Sequence, residues 1–478
     1  MKDSTDYDAI VIGAGPNGLA AAITMQQQGL SVLLLEGADQ IGGGMRTAEL
    51  TLPGFYHDVC SAIQPMAVGS PLFKQLPLKD HGLQYIHPPV LAAHPFDDGT
   101  AAAFLTSFDE TAKLLGRDEI QYRRLFEPLL RLWPGIGEEV LGPLRFPRNL
   151  IGLARFAIKA LPSAKYVSKI FKTDAARGLW AGLAAHSLLP LSAASTSAVA
   201  LVLAISGHVD GWPIVKGGSQ RIAEALAAYL RSLGGHIETG VYITSFSQLP
   251  SAKAVLFDVT PKQLLQIAGH RFSPTYRDQL LRYRYGAGVF KMDWALDGPV
   301  PFTAEDCRRA GTVHLGGTIR EIEYSEGAVW KGKHPENPFV LLAQQSLFDD
   351  TRAPEGKHTV WAYCHVPHGS TVDMTEAIEG QIERFAPGFR DRILARHTYN
   401  TAQLEAYNPN YVGGDIIGGR MTVDQLFTRP ALRLSPYRTS ARGLYICSSS
   451  TPPGGGVHGM NGYHAARRAL KDIFRIEL

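Results

Sequence analysis

The 478-residue chain predicts an α/β fold whose parallel sheet is assembled from separated segments, with a mixed α+β part inserted between them. Two observations predict this. The first is residues 7–36. Ile10–Ile12 form an apolar run read as a buried parallel strand, followed by Gly13, Gly15 and Gly18 as G-x-G-x-x-G. Leu19–Gly29 read as an alanine-rich helix, and Ser31–Leu35 as a second strand ending at Glu36. In such a βαβ unit Gly13 permits the tight turn and Gly15 lets backbone approach a diphosphate. Gly18 lets the helix pack on the sheet, with Pro16 and Asn17 opening a helix whose amides face the phosphates. Glu36 stands where an acid accepts hydrogen bonds from a ribose hydroxyl. The unit therefore predicts dinucleotide binding.

The second observation is that strand character of the same kind returns twice. Gly217–Gln220 introduces a helix, Arg221–Leu233. His236–Glu238, Val241–Phe246 and Ala254–Asp258 then read as strands rejoining the first sheet. Near the end, Gly443–Cys447 reads as a buried strand. It runs through a glycine-rich stretch, Pro452–Gly462, into a helix over Tyr463–Asp472. Glycines before a helix again place backbone against something flat or anionic. The run Gly42-Gly43-Gly44-Met45-Arg46 is a further place where backbone can lie against a bulky ligand, with Arg46 available to a phosphate.

Composition bounds the rest. With 45% hydrophobic and 19% charged residues the chain is an ordinary globular protein with a large core. A net charge of +3 is too small to imply nucleic acid. Cys60, Cys307, Cys364 and Cys447 are widely spaced, form no C-x-x-C pair, and read as free thiols in a reducing cytosol. No secretory signal is apparent, and no metal-ligand cluster stands out, so no metal is expected. Gly178–Val209 lacks acids and strong bases. Pro190 and the Ser192–Ser197 cluster interrupt it, so it reads as two buried helices joined by a turn rather than a membrane span.

The organisation expected is a dinucleotide domain in three segments, 1–75, 211–260 and 430–478. A helical part of the substrate domain occupies 76–210, and its sheet and helices occupy 261–429. Residues 106–140 carry Leu114, Leu115, Tyr122, Leu125, Leu129 and Leu132 at helical spacing. Residues 145–172 hold Arg145, Arg148, Arg155, Lys159, Lys165, Lys169 and Lys172 with no acid, interleaved with apolar residues. Two readings of this region stand: a solvated basic face broken by Pro147 and Pro162, or contact with an anionic membrane surface. In 261–429, strands are expected at Gly288–Trp294, Phe339–Leu342 and His358–His365, and a helix at Met374–Phe385.

The N-terminal unit through Arg46-Thr47, Glu49–Phe55, Gly211-Trp212-Pro213 with Gly217–Gln220, and Pro452–Ala466 together resemble the phytoene desaturase-like flavoproteins. Ala184–Ser187 and the span from Gly413 to Pro430 add to the likeness, which covers nearly the whole chain. The resemblance implies a discontinuous Rossmann-type FAD-binding domain with an inserted substrate domain, and FAD as the dinucleotide. By position it implies that Gly13, Gly15 and Gly18 cradle the pyrophosphate and Glu36 binds the adenosine ribose. Arg46, beside Gly43, Gly44 and Met45, would face phosphate, and Ile243 would border the adenine. Gly456, Val457, His458, Gly459 and Met460 would approach the isoalloxazine. Two departures are visible: relatives often have Gly-Gly-Arg where Gly42-Gly43-Gly44 stands, and Gly-Ala or an acid where Ser448-Ser449-Ser450 stands.

The reaction expected is removal of a hydride from a small, hydrophobic, isoprenoid-like substrate. Reoxidation by oxygen, a quinone or another carrier is expected, because no second G-x-G-x-x-G offers a site for NAD(P). The alternatives are a flavin amine oxidase and a non-catalytic FAD-binding partner protein. His458 is the candidate acid/base or substrate-orienting group, against the plainer reading of a ring packed beside the cofactor. His57, Cys60, His186 and His464 read as structural. The expected location is cytoplasmic, at the membrane periphery if the basic region touches lipid. Substrate identity and oligomeric state are not legible.

Overall fold

The computed structural model describes residues 6–143 and 148–478; Arg145 and Pro147 of the basic region lie outside the described residues. Five parallel strands form one sheet, in the order Leu444–Ile446, Ala252–Phe257, Tyr7–Ile12, Val32–Leu35, His236–Glu238. Both faces are covered, as an all-parallel sheet requires. On one face Ala9, Val11, Val32 and Leu34 pack with helices Pro16–Gln26, Gln220–Ser232 and Met460–Ala469. On the other, Ile10, Ile12, Leu33 and Leu35 pack against the helices Pro261–Ala268 and Pro274–Leu281. Close approach is set by glycine: a Cβ on Gly462 would lie 1.8 Å from the Asn17 carbonyl oxygen, where the last helix crosses the first.

The second sheet has seven strands, in the order Ile393–Tyr399, Gly288–Leu296, His358–Val366, Val340–Ala343, Ala310–Leu315, Val90–Pro95, Ala101–Phe104. Neighbours run antiparallel except Ala310–Leu315 beside Val90–Pro95. One face is apolar, with Met292, Trp294, Val313, Leu315, Val340, Leu342, Val360 and Ala362 packed beneath the helix Thr375–Phe385. The other lies under helices including Glu119–Val140, Leu150–Ala160, Asp174–Ala185 and Thr196–Asp210. The last two are the expected helix pair in 178–209. Among the described residues no helix is long and apolar enough to cross a membrane.

Three local expectations differ from the structure. Val241–Phe246 is not a strand; the chain folds over the end of Val32–Leu35 instead, with Val241 N–H donating to the Glu36 carbonyl at 2.9 Å. The expected helix over 106–140 is divided into Phe108–Leu114 and Glu119–Val140. Gly116 sits between them with φ +53°, a left-handed conformation that ends the first helix. Residues 76–210 are not purely helical, because Val90–Pro95 and Ala101–Phe104 join the second sheet. Their alanine-rich sequences carry no alternation that would announce a strand.

Candidate functional site

A cavity of about 900 Å³ lies between the two sheets, near the upper end of the roughly 300–1,000 Å³ usual for ligand sites. It has two arms. One is lined by backbone and small residues of the parallel sheet's loops: Gly13, Gly15, Gly43, Gly44, Ser448 and Gly456 among them. The other is lined by apolar and aromatic side chains, including Phe156, Val202, Trp212, Leu341 and Trp361.

The glycine arm is tightly built. A Cβ on Gly13 would meet the Asp258 carbonyl at 2.8 Å, one on Gly15 would meet Asp258 Oδ2 at 2.9 Å, and one on Gly18 would lie 1.8 Å from the Gly13 carbonyl oxygen. Gly43 brings the second glycine run to the first, its Cβ position 3.1 Å from Gly15 Cα. Glu36 is pinned at the strand end. Its Oε2 accepts the Ala14 N–H at 2.8 Å, and its Oε1 accepts Ala38 N–H and Arg46 Nη2, each at 3.0 Å. Arg46 also donates from Nε to the Gln40 carbonyl at 2.9 Å and lies over the Tyr407 ring. The guanidinium expected at a phosphate is thus paired with Glu36, on the same wall of the cavity.

Pro16, Asn17, Ile243, Val457 and His458 also line the cavity. Gly18, Met45, Gly459 and Met460 lie behind its wall: Gly18 packs helix on turn, Met45 and Met460 are in the core, and Gly459 opens the last helix at φ +68°. The His458 ring is buried, and its Nδ1 accepts the Met460 N–H at 3.1 Å. Burial lowers its pKa to about 4, opposed by hydrogen bonding to the Gly454 and Gly455 backbone. The imidazole is held neutral and braces its own loop through Met460, the arrangement of the plainer reading of a ring packed beside the cofactor. Of the histidines and cysteine read as structural, His186 and Cys60 line the cavity, whereas His57 and His464 do not.

Asp258 and Gln64 on the wall, and Arg429 behind it, were not singled out as site residues in the sequence, whereas Asn17 was. Asp258 follows the strand Ala252–Phe257, and its Oδ2 accepts the Gly18 N–H at 2.9 Å. Burial raises its pKa to about 7, with Glu36 adding to the rise. Its signal was its position: the carboxyl end of a strand beside the first, where open parallel sheets bind ligands. Asn17 Oδ1 and Gln64 Oε1 are buried without partners on the cavity wall. Arg429, wholly buried, holds the Ser448–Pro453 loop through the Ser449 carbonyl at 2.8 Å and the Ser450 carbonyl at 3.3 Å.

A family profile described as "NAD(P)-binding Rossmann-like domain" matches residues 11–75. Across 98% of this chain and 94% of its own length, the rat protein "Pyridine nucleotide-disulfide oxidoreductase domain-containing protein 2" is 26% identical. The lycopene-forming phytoene desaturase of a Paracoccus species is 22% identical over 95% of each chain. Among solved structures, putrescine oxidase bound to putrescine superposes with a TM-score of 0.61 at 17% identity, covering 98% of this chain and 99% of that one.

Fold and site together define an FAD-dependent oxidoreductase with a Rossmann-type dinucleotide domain. Within that class the chain is similar over nearly its whole length to the rat protein and to the phytoene desaturase just named. The residues present fit the cofactor. A cradle no Cβ could enter suits a diphosphate, and unpartnered amide oxygens at Asn17 and Gln64 suit hydroxyl donors of a ribose or ribityl chain.

Proposed function

We propose that this oxidoreductase removes a hydride equivalent from a carbon of an apolar substrate bound in the aromatic arm. The observation that carries the reading is the cavity itself, one space whose first arm is glycine backbone and whose second is Leu, Val, Phe and Trp. Gly13, Gly15 and Gly43 would hold the diphosphate, Glu36 the adenosine ribose, Ile243 the adenine edge, and Gly456–His458 the isoalloxazine. Bound FAD supplies the hydride acceptor. The chain's own part is to position and to exclude water: His458 braces the loop through Met460, Arg429 holds Ser449 and Ser450, and the second sheet roofs the apolar arm. Hydride loss would leave an electron-poor carbon that forms the double bond by releasing a proton from its neighbour; no side chain is assigned as the acceptor, and that proton would pass to water at the mouth of the cavity. Reoxidation falls to oxygen, a quinone or another carrier.

Anaerobic mixing of the holoprotein with apolar donors, followed by visible absorbance, tests the reading. Bleaching by isoprenoid hydrocarbons or alcohols is the expected result. Bleaching by amines alone would replace it with amine oxidation. That second reading is favoured by Tyr407, Tyr411 and Trp361 on the wall, since aromatic faces also receive ammonium groups.

Membrane contact belongs to the same proposal. The helix Leu150–Ala160 turns Leu153, Phe156 and Ala160 toward the cavity and leaves Ile151 and Ile158, 69% and 73% exposed, on its outer side. Arg155, Lys169 and Lys172 are exposed in the same region. An apolar stripe flanked by cations, on the helix that walls the apolar arm, suits docking on an anionic bilayer from which an apolar substrate would be drawn. Sedimentation with phosphatidylglycerol but not phosphatidylcholine vesicles is expected; equal recovery without either lipid would contradict it.

A further inference from the structure

The two faces of the seven-stranded sheet differ in a way that core packing does not require. The face beneath Thr375–Phe385 is apolar at its centre, and its polar groups are paired: Arg396 on the edge strand with Glu379 of that helix, which also accepts the Trp294 indole N–H. The face toward the cavity carries polar side chains in rows set by strand register. Thr312 pairs with Ala343, Ala343 with Trp361, and Trp361 with Asp293; one step along, His314 pairs with Leu341, Leu341 with Tyr363, and Tyr363 with Lys291. Directly paired residues of antiparallel strands share a face, so each row is continuous across the sheet.

Part of this polarity is internally satisfied. Lys291 is ion-paired with Asp293, and His365 Nδ1 lies 2.7 Å from Glu326 Oε2. Thr312 and Trp361 are different. Both line the cavity, both are at least nine-tenths buried, and Thr312 Oγ1 and Trp361 Nε1 have no hydrogen-bond partner. Ala343 lies between them in the register and is wholly buried behind the wall. His186 closes this end from the helical side, its Nε2 3.0 Å from His314 Nε2. Burial drives both imidazoles to the neutral form, His186 to about 3. Buried hydroxyl and indole N–H groups left unpaired cost stability, which a purely hydrocarbon-binding wall would avoid by using Val and Phe.

We propose that the wall at Thr312 and Trp361 is a subsite for a neutral oxygen function, so that the substrate is an apolar molecule carrying one hydroxyl or carbonyl group. This rests on the reading of the aromatic arm as the site of an apolar substrate. Trp361 Nε1–H donates to that oxygen, and Thr312 Oγ1 donates to a carbonyl or accepts from a hydroxyl. A carboxylate is disfavoured, because the imidazoles there are neutral and Lys291 is already matched by Asp293, so its charge would be buried without a partner.

Equilibrium dialysis of the oxidised holoprotein against farnesol and against the hydrocarbon farnesene decides it. In a plain apolar cavity the hydrocarbon binds more tightly; with the subsite, farnesol binds about tenfold more tightly than farnesene. In T312V that preference falls several-fold while farnesene affinity is unchanged. Equal binding of the two by the unaltered protein, or tighter binding of farnesene, overturns the subsite and leaves the apolar arm standing. Binding of neither, with FAD retained, overturns the apolar reading and the subsite with it.

Discussion

The two arms of the cavity are built in opposite ways. The glycine arm is made from short consecutive runs at the ends of parallel strands, where neighbouring residues in sequence act together on one ligand. The aromatic arm is made from single residues of separate elements, Phe156, Val202 and Trp212 from the helical layer and the segment after it and Thr312, Leu341 and Trp361 from paired strands, brought together only by the fold. Thr312 and Trp361 are separated by 49 positions in the chain, yet both pair with Ala343. Backbone does the binding in the first arm and side chains in the second. Substitutions in the first should therefore abolish binding outright, and substitutions in the second should change preference.

Gly18→Ala should have the largest effect. Its Cβ would sit 1.8 Å from the Gly13 carbonyl, so the helix must move off the turn. The purified variant should be colourless and release no FAD; retention of a full complement would mean that the turn is less rigid than its packing implies.

Next is the buried network that ties the strand Tyr56–Asp58 to Arg352. Asp58 accepts Arg352 Nη2 at 2.5 Å and the Ser219 N–H at 2.8 Å, and Arg352 Nε reaches Asp349 Oδ2 at 3.1 Å, all buried. Arg352→Met leaves two buried carboxylates without their cation and should lower unfolding stability by about 3–5 kcal/mol in urea denaturation. A loss under about 1 kcal/mol would show the network to be solvated.

Asp258 gives the glycine arm a pH dependence that the aromatic arm should lack. Its raised pKa means the folded protein holds this proton between the ordinary carboxylate range and about 7. The sign follows: the group's contribution to stability is full at low pH and is lost as pH rises through about 7. A diphosphate on the glycine turn would repel the ionised form, so FAD affinity should weaken above pH 7 by up to about tenfold per unit. Asp258→Asn should flatten that profile; an unchanged slope would assign the titration elsewhere.

The smallest effect is expected at His458. His458→Ala removes the brace to Met460 and should weaken FAD binding by roughly tenfold. The pH profile of flavin reduction by substrate should keep its shape. A lost limb in that profile would restore the ring to proton transfer.

The same contrast explains what could be read from the sequence. The first βαβ unit, the helix Gln220–Ser232 and the strand Leu444–Ile446 were legible because motif, strand and helix are local and adjacent. Val241–Phe246 misled because β-branched and aromatic residues suit a strand, but here they fold over Glu36 and line the cavity through Val241, Tyr242 and Ile243. Arg46 looked like a phosphate ligand because nothing local announces its pairing with Glu36, ten residues earlier. Asp258 was legible as the end of a strand in the first sheet but not as a wall residue, and the Thr312–Trp361 row was out of reach because it needs the register of the second sheet.

The two arms are one space, and the absorption spectrum of the oxidised holoprotein tests this most directly. Adding farnesol or farnesene anaerobically and recording the spectrum before any reduction should shift the flavin bands with the same saturation curve that dialysis gives. A ligand that saturates by dialysis while leaving those bands unmoved would place it away from the cofactor, and the two arms would then be separate sites.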